Sequence, residues 1–154
     1  MLMPKYWLFK SEPQSYSIED LRGDRTTPWS GVRNYQARNF MQAMSIDDEG
    51  FFYHSSCAVP GIVGICRVVR TAYPDATAFD PRSEYFDPKS SPEKPRWLNV
   101  DVAFVRAFDE VLPLTLLREI PALAAMPLLQ RGQRLSVQPV RANEWRAILK
   151  LVRT

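Results

Sequence analysis

The chain opens on six residues, KYWLFK at 5–10, that are aromatic and alternate in polarity, the period of a β-strand. The SEP that follows at 11–13 ends this strand with a proline, which has no N–H for a central ladder. Ser17 then offers a helix N-cap with acid in the first turn, and Gly23 offers a stop, so residues 17–22 read as a short helix. Beyond a turn-rich stretch at 27–31, Ala37, Phe40, Met41 and Met44 recur at helical spacing, which predicts a helix over 34–44 that exposes Gln36, Arg38 and Asn39.

Residues 51–56 and 62–71 are bounded by Gly50 and by Pro60-Gly61 and are rich in aromatic, Val and Ile residues, so two neighbouring strands are predicted. Five of the thirteen prolines fall between 73 and 96, where apolar periodicity disappears, and this segment reads as one long loop. Strand character returns at 97–108, with Val100, Val102 and Phe104 on one face. A short helix over 115–120 capped by Thr115, a strand over 135–138 halted by Pro139, and a last helix capped by Asn143 complete the pattern. In that last helix Trp145, Ile148, Leu149 and Val152 form an apolar stripe. Strands interspersed irregularly with short helices predict an α+β protein built on a mixed sheet or partly closed barrel, with helices outside it.

The 154 residues, 45% of them hydrophobic, suffice for one core, so a single domain over 1–154 is expected. No run approaches the roughly 20 apolar residues of a membrane helix, and the N-terminus lacks a signal-peptide layout, so the expectation is a soluble cytoplasmic protein without membrane association. Cys57 and Cys66 read as reduced core thiols. A formal charge of +3 permits attraction to a polyanion without establishing it, since no dense basic run exists. Arginine outnumbers lysine 15 to 5, which suits phosphate and base recognition but equally reflects composition.

The chain has one histidine, His54, and on a strand it points away from Cys57, so no thiol–imidazole pair forms locally. Zinc-ligand spacings, glycine-rich dinucleotide motifs and a phosphate-loop lysine are all missing, so no metal or cofactor is expected. Glu12 and His54 remain the residues that a small hydrolase or base-processing enzyme would use. Material for binding is richer. Trp7, Phe51 and Phe52 read as core, whereas Trp29 sits in a loop, where an aromatic ring is better placed to line a pocket. Ser11, Asn34, Ser55, Ser136 and Gln138 supply amides and hydroxyls near the same strand ends.

Several long motifs, in order, resemble the EVE-domain family: YWLFKSEP at 6–13, WSGVRNYQARNFM at 29–41, FYHS at 52–55, GIVGI at 61–65, AYPDATAFD at 72–80, YFDPK at 85–89 and RLSVQPV at 134–140. The resemblance spans residues 5 to about 151. It implies a PUA-like fold, an open mixed β-barrel with short flanking helices, and kinship with the YTH readers of N6-methyladenosine. Lys10-Ser11-Glu12 is similar to the Lys-Ser-Asn opening of YTH domains, and Gly31-Val32-Arg33-Asn34 falls where they carry Gly-Val-Trp-Ser. Arg33 thus stands in place of a cage tryptophan, and a methyl-adenine cage does not transfer intact.

What the resemblance implies is a nucleic-acid-binding module that takes up a modified or flipped base, a modified cytosine or similar, in DNA or RNA. The expected pocket is edged by Trp29, Asn34, Tyr35, Tyr53, His54 and Ser55 on one side and by Ser136 and Gln138 on another, with Ser11, Asn34 and Gln138 selecting the base edge. Arg38 is the phosphate candidate. No obligate protein partner is expected. A pocket serving as an interaction module for something other than nucleic acid is the remaining alternative.

Overall fold

A computed structural model describes residues 5–152. Residues 1–4 and 153–154, and with them the reading of the extreme N-terminus, lie outside the described residues.

The first strand, β1 (Tyr6–Ser11), is followed by α1 (Ile18–Asp24). Ser17 caps α1 reciprocally: its Oγ accepts from the Asp20 N–H at 3.0 Å, while an Asp20 carboxylate oxygen accepts from the Ser17 N–H at 2.9 Å. Gly23 does not stop this helix, which ends instead at Arg25, a non-glycine residue at φ +69°. A three-residue strand, β2 (Thr26–Pro28), occupies what reads as pure turn in the sequence. Then come α2 (Tyr35–Gln42), β3 (Glu49–His54) and the long β4 (Gly61–Pro74) and β5 (Leu98–Pro113). A four-residue α3 (Leu114–Leu117), β6 (Val137–Val140) and α4 (Ala142–Leu149) close the chain.

Three sequence expectations about boundaries are corrected. Pro113, not Thr115, precedes α3, and no side chain caps it. Asn143 lies inside α4, where Glu144 accepts from the Arg141 N–H at 2.8 Å. Pro139 sits within β6 instead of halting it; among the described residues β6 is an edge strand paired only with β1, where a missing N–H breaks no second ladder. The apolar stripe of α4 is also narrower than its spacing predicts, since Trp145 and Ile148 are buried but Leu149 is exposed.

The six strands form one mixed sheet in the order β2-β5-β4-β3-β1-β6, with β1 and β3 parallel and the other neighbours antiparallel. The β2 and β6 edges are not paired to each other, so the sheet is not closed. Register shifts along β4 and β5 are bulges that increase local twist. The sheet accordingly curls: Trp29, just after edge strand β2, makes edge-on ring contacts with Phe9 of β1 at 5.2 Å and with Phe52 of β3 at 5.5 Å.

Helices lie on both faces of the sheet. Trp7, Phe9, Phe52 and Val102 pack with Ile18 and Leu21 of α1 and Ala37 and Met41 of α2. On the other face, Leu8, Phe51, Tyr53 and Ile65 meet Leu117 of α3, Leu123, Met126 and the α4 residues Trp145 and Ile148. The Trp145 ring stacks on Phe51 at 3.9 Å and on Tyr6 at 4.5 Å. Cys66 is buried, and burial pushes its thiol pKa up, but Cys57 is only half-buried and is not a core thiol. No helix among the described residues is long and apolar enough to cross a membrane.

Candidate functional site

Where the curl brings the two ends of the sheet together, it leaves a cavity of about 590 Å³. The C-terminal end of β1 supplies Lys10, Ser11 and Glu12; Ser15 and Tyr16 follow from the turn before α1. Opposite them stand Thr27 and Pro28 of β2 and the loop Trp29-Ser30-Gly31-Val32. Glu84 and Tyr85, from the long proline-rich loop, and Ser136, just before β6, complete the wall. Of the residues that sequence reasoning singled out, the structure brings together Lys10, Ser11, Glu12, Trp29, Val32 and Ser136 here.

Their chemistry differs from what residue type suggests. The Ser11 hydroxyl donates to the Tyr16 carbonyl at 2.7 Å, so toward a ligand it is left with acceptor capacity. Trp29 is only 8% exposed and is shared between the cavity wall and the core. The more open ring is Tyr85, 39% exposed. Tyr16 donates to Asp24 at 2.8 Å, and burial together with that acceptor pushes its pKa up to about 12, so it stays a neutral phenol. Burial lowers the pKa of Lys10, whose ammonium lies 6.0 Å from the centroid of the Tyr53 ring.

Arg33 is not among the residues that line the cavity. Its guanidinium pairs with the buried Asp75 carboxylate at 3.0 Å and donates to Thr77 Oγ1 at 3.2 Å and to the Tyr85 carbonyl at 2.7 Å. Asp75 also accepts from the Gly31 N–H at 2.9 Å. Burial by itself would raise the Asp75 carboxyl, but donors from Thr77, Gly31 and Arg33 outweigh it and hold its pKa below the usual carboxylate value. The Tyr85 ring lies so close to Gly31, at φ +79°, that a Cβ there would come within 2.7 Å of it. Arg33 therefore acts one step removed, by fixing the loop that delivers Tyr85.

The structure places the other expected residues away from the cavity, each for a local reason. Asn34 is the N-cap of α2, its Oδ1 accepting from the Ala37 N–H at 2.9 Å. Tyr35 stacks on Trp97 at 4.8 Å. Arg38 donates to the Arg96 carbonyl at 3.0 Å and to Asn39, clamping the end of the long loop onto α2 instead of standing free for phosphate. Tyr53 belongs to the core on the far face of the sheet. His54 accepts from the Ile18 N–H through Nε2 at 3.1 Å, and Ser55 donates its N–H to the Ser11 carbonyl. Gln138 is fully buried, with its amide nitrogen on the Leu135 carbonyl at 3.1 Å.

The His54 bond requires a neutral ring with its proton on Nδ1, and burial lowers its pKa. With Nε2 occupied and His54 outside the cavity wall, Glu12 and His54 are not assembled as an acid–base pair. Sequence reasoning missed Tyr16, Thr27, Glu84 and Tyr85. For Tyr85 a signal existed, an aromatic ring in a proline-rich loop, the same argument that singles out Trp29.

The chain matches the EVE domain model over residues 5–151. It is 45% identical to mouse thymocyte nuclear protein 1, covering 99% of this chain and 75% of that protein, and 43% identical to the human protein over 97% and 74%. Among solved structures, one from Pseudomonas syringae superposes with a TM-score of 0.93 at 54% identity, covering 95% of this chain and 98% of that one. Human THYN1, solved in complex with DNA containing 5-methylcytosine, superposes with a TM-score of 0.91 at 43% identity over 96% of each chain. With the family model matched over nearly all its length and relatives this similar, the chain belongs to the EVE-domain family.

Proposed function

We propose that this chain is a binding module for a modified base of DNA, a 5-methylated cytosine or a close analogue, which enters the cavity at the seam of the curled sheet. The observation that carries the reading is the cavity itself: about 590 Å³, within the range that holds a small organic group, and walled by ring and polar groups on separate elements. The likeness to human THYN1, solved with methylated DNA, supports the choice of ligand. Tyr85 offers the stacking surface, Trp29 and Val32 the apolar floor, and Ser11, Glu12, Glu84 and Ser136 the groups that read the base edge. A carboxylate suits an exocyclic amine such as cytosine N4, since it accepts without donating. Fit to a flipped base also accounts for placing the pocket at an opening in the sheet, which we read as the open side of a PUA-like barrel.

The chain works in this reading as one unit that binds without turnover; the occupied Nε2 of His54 favours that over hydrolysis. RNA carrying a modified base, and a cytoplasmic place of action, belong to the same proposal. The name of the mouse relative, thymocyte nuclear protein 1, makes localisation by tagged expression the test for the latter.

Titration of matched oligonucleotides with cytosine or 5-methylcytosine at one position, as duplex, single strand and RNA, tests the base reading. Tyr85→Ala should lose roughly 1–3 kcal/mol of stacking from modified and unmodified ligands alike. Trp29→Phe is preferable to Trp29→Ala because the latter would open the core. Equal affinity for modified and unmodified oligonucleotides in every format would overturn the proposal.

A further inference from the structure

On the other side of β2 lies a second cavity of about 380 Å³, lined by Arg22, Arg25, Thr26, Ala103 and Phe104. Thr26 lines it, while Thr27 and Pro28, the next two residues of the same strand, line the first cavity. The two cavities thus share one edge strand, whose N-terminal end lines the second and whose C-terminal end lines the first.

Arg25 carries the argument. It joins α1 to β2 in one residue at φ +69°, ψ −42°. Its backbone is pinned at both ends, the N–H donating to the Leu21 carbonyl at 2.7 Å and the carbonyl accepting from the Phe104 N–H at 2.8 Å. Such a connection is open to glycine without strain, so the turn alone gives no reason for a long cationic side chain. Among the described residues, no hydrogen bond or ion pair engages the Arg25 guanidinium. Its neighbour Arg22 is held over the Phe104 ring at 5.4 Å, and its pairing with Glu19 is loose, 3.6 Å between two exposed side chains.

We propose that this second cavity is a phosphodiester site, in which Arg22 and Arg25 grip the backbone of the strand whose base occupies the first cavity. β2 from Thr26 to Pro28 spans about 7 Å at about 3.3 Å per residue, which at about 3.4 Å per nucleotide is about two nucleotides from the bound base. Phosphate contacts position a strand and carry no base information, so this site adds affinity and register and leaves the choice of base to the first cavity. The inference rests on the base-binding reading above.

Arg25→Gly is the informative variant because it removes the guanidinium and relieves the backbone at once. With methylated and unmethylated oligonucleotides titrated over a salt series, Arg25→Gly and Arg22→Ala should each weaken both ligands by the same factor, roughly 3- to 10-fold at low salt. Each should also make the slope of log affinity against log salt shallower by about 0.9. The melting temperature of Arg25→Gly should be unchanged or higher. Affinities within twofold of wild type, with the slope intact, overturn the phosphate site and leave the base reading standing. A loss confined to the methylated ligand also overturns it, since Arg25 would then read the base. A wild-type protein that binds neither oligonucleotide overturns the base reading, and this inference with it.

Discussion

Arg33 donates to the backbone carbonyl of Tyr85, 52 residues further along the chain, at 2.7 Å. Through that bond and its ion pair with Asp75, one side chain next to the Trp29 loop holds the proline-rich segment in place and presents the Tyr85 ring to the cavity. An arginine at this position changes the job of the site chain: it builds the wall instead of stacking on the ligand.

Arg33→Ala should therefore lower both stability and ligand affinity. Asp75 would remain buried with its Thr77 and Gly31 donors but without a counter-charge; breaking a fully buried pair costs about 3–5 kcal/mol, and the 23% exposure of Arg33 places this one at or below the low end. Urea denaturation reads the stability change, and oligonucleotide titration below the midpoint reads the affinity. Unchanged stability would show that the loop is held by other contacts.

Gly31→Ala tests the close approach directly. A Cβ there would meet the Tyr85 ring at 2.7 Å, and φ of +79° costs an L-residue about 1–2 kcal/mol. The expected outcome is a modestly destabilised protein whose Tyr85 is pushed off the wall, seen as weaker binding with a larger fractional loss than Gly132→Ala, at a similar φ of +78° but in open space.

Asp75 links the loop to pH. Its folded pKa is depressed, so the stability it contributes is present above the unfolded carboxylate value of about 3.9 and is lost as pH falls toward the folded value. Wild-type unfolding free energy should decline below about pH 4 more steeply than that of Asp75→Asn, which carries no such proton linkage. Parallel slopes would remove Asp75 from the acid-sensitive set.

His54 should titrate below its usual value of about 6.5, because burial and the Ile18 N–H both favour the neutral ring. With the folded pKa depressed, the unfolded chain takes up the proton first, so stability should begin to fall as pH drops through about 6.5. Proton NMR of the single imidazole checks the pKa. His54→Ala should leave any effect of methylation on DNA affinity intact, whereas loss of a turnover activity in that variant would revive the hydrolase reading.

The elements were largely legible in the sequence. Alternation marked β1 and β5, runs of aromatic, Val and Ile residues between turn formers marked β3 and β4, helical spacing marked α2 and α4, and Ser17 marked the start of α1, because each of these signals acts within a few residues. Burial of Trp7, Phe51 and Phe52 was legible for the same reason. The three-residue β2 was not, since Thr26–Pro28 is a strand only by virtue of the β5 edge it pairs with.

Local pattern by itself determined the order and kind of the main elements, the placement of the aromatic core, and the motifs that mark the family. Tertiary structure decided which polar residues are free. Asn34, Arg38 and His54 look available along the chain but are consumed by the Ala37 amide, the Arg96 carbonyl and the Ile18 amide, and Gln138 is fully buried with its amide nitrogen on the Leu135 carbonyl. Backbone groups left over at helix ends and loops must find partners, and the nearest polar side chain is taken for that purpose before any ligand arrives. The cavity likewise depends on the curl that sets residues 10–12, 27–32, 84–85 and 136 around one space, a proximity created by the curl of an open sheet and by the Arg33 clasp and written in no single stretch of sequence.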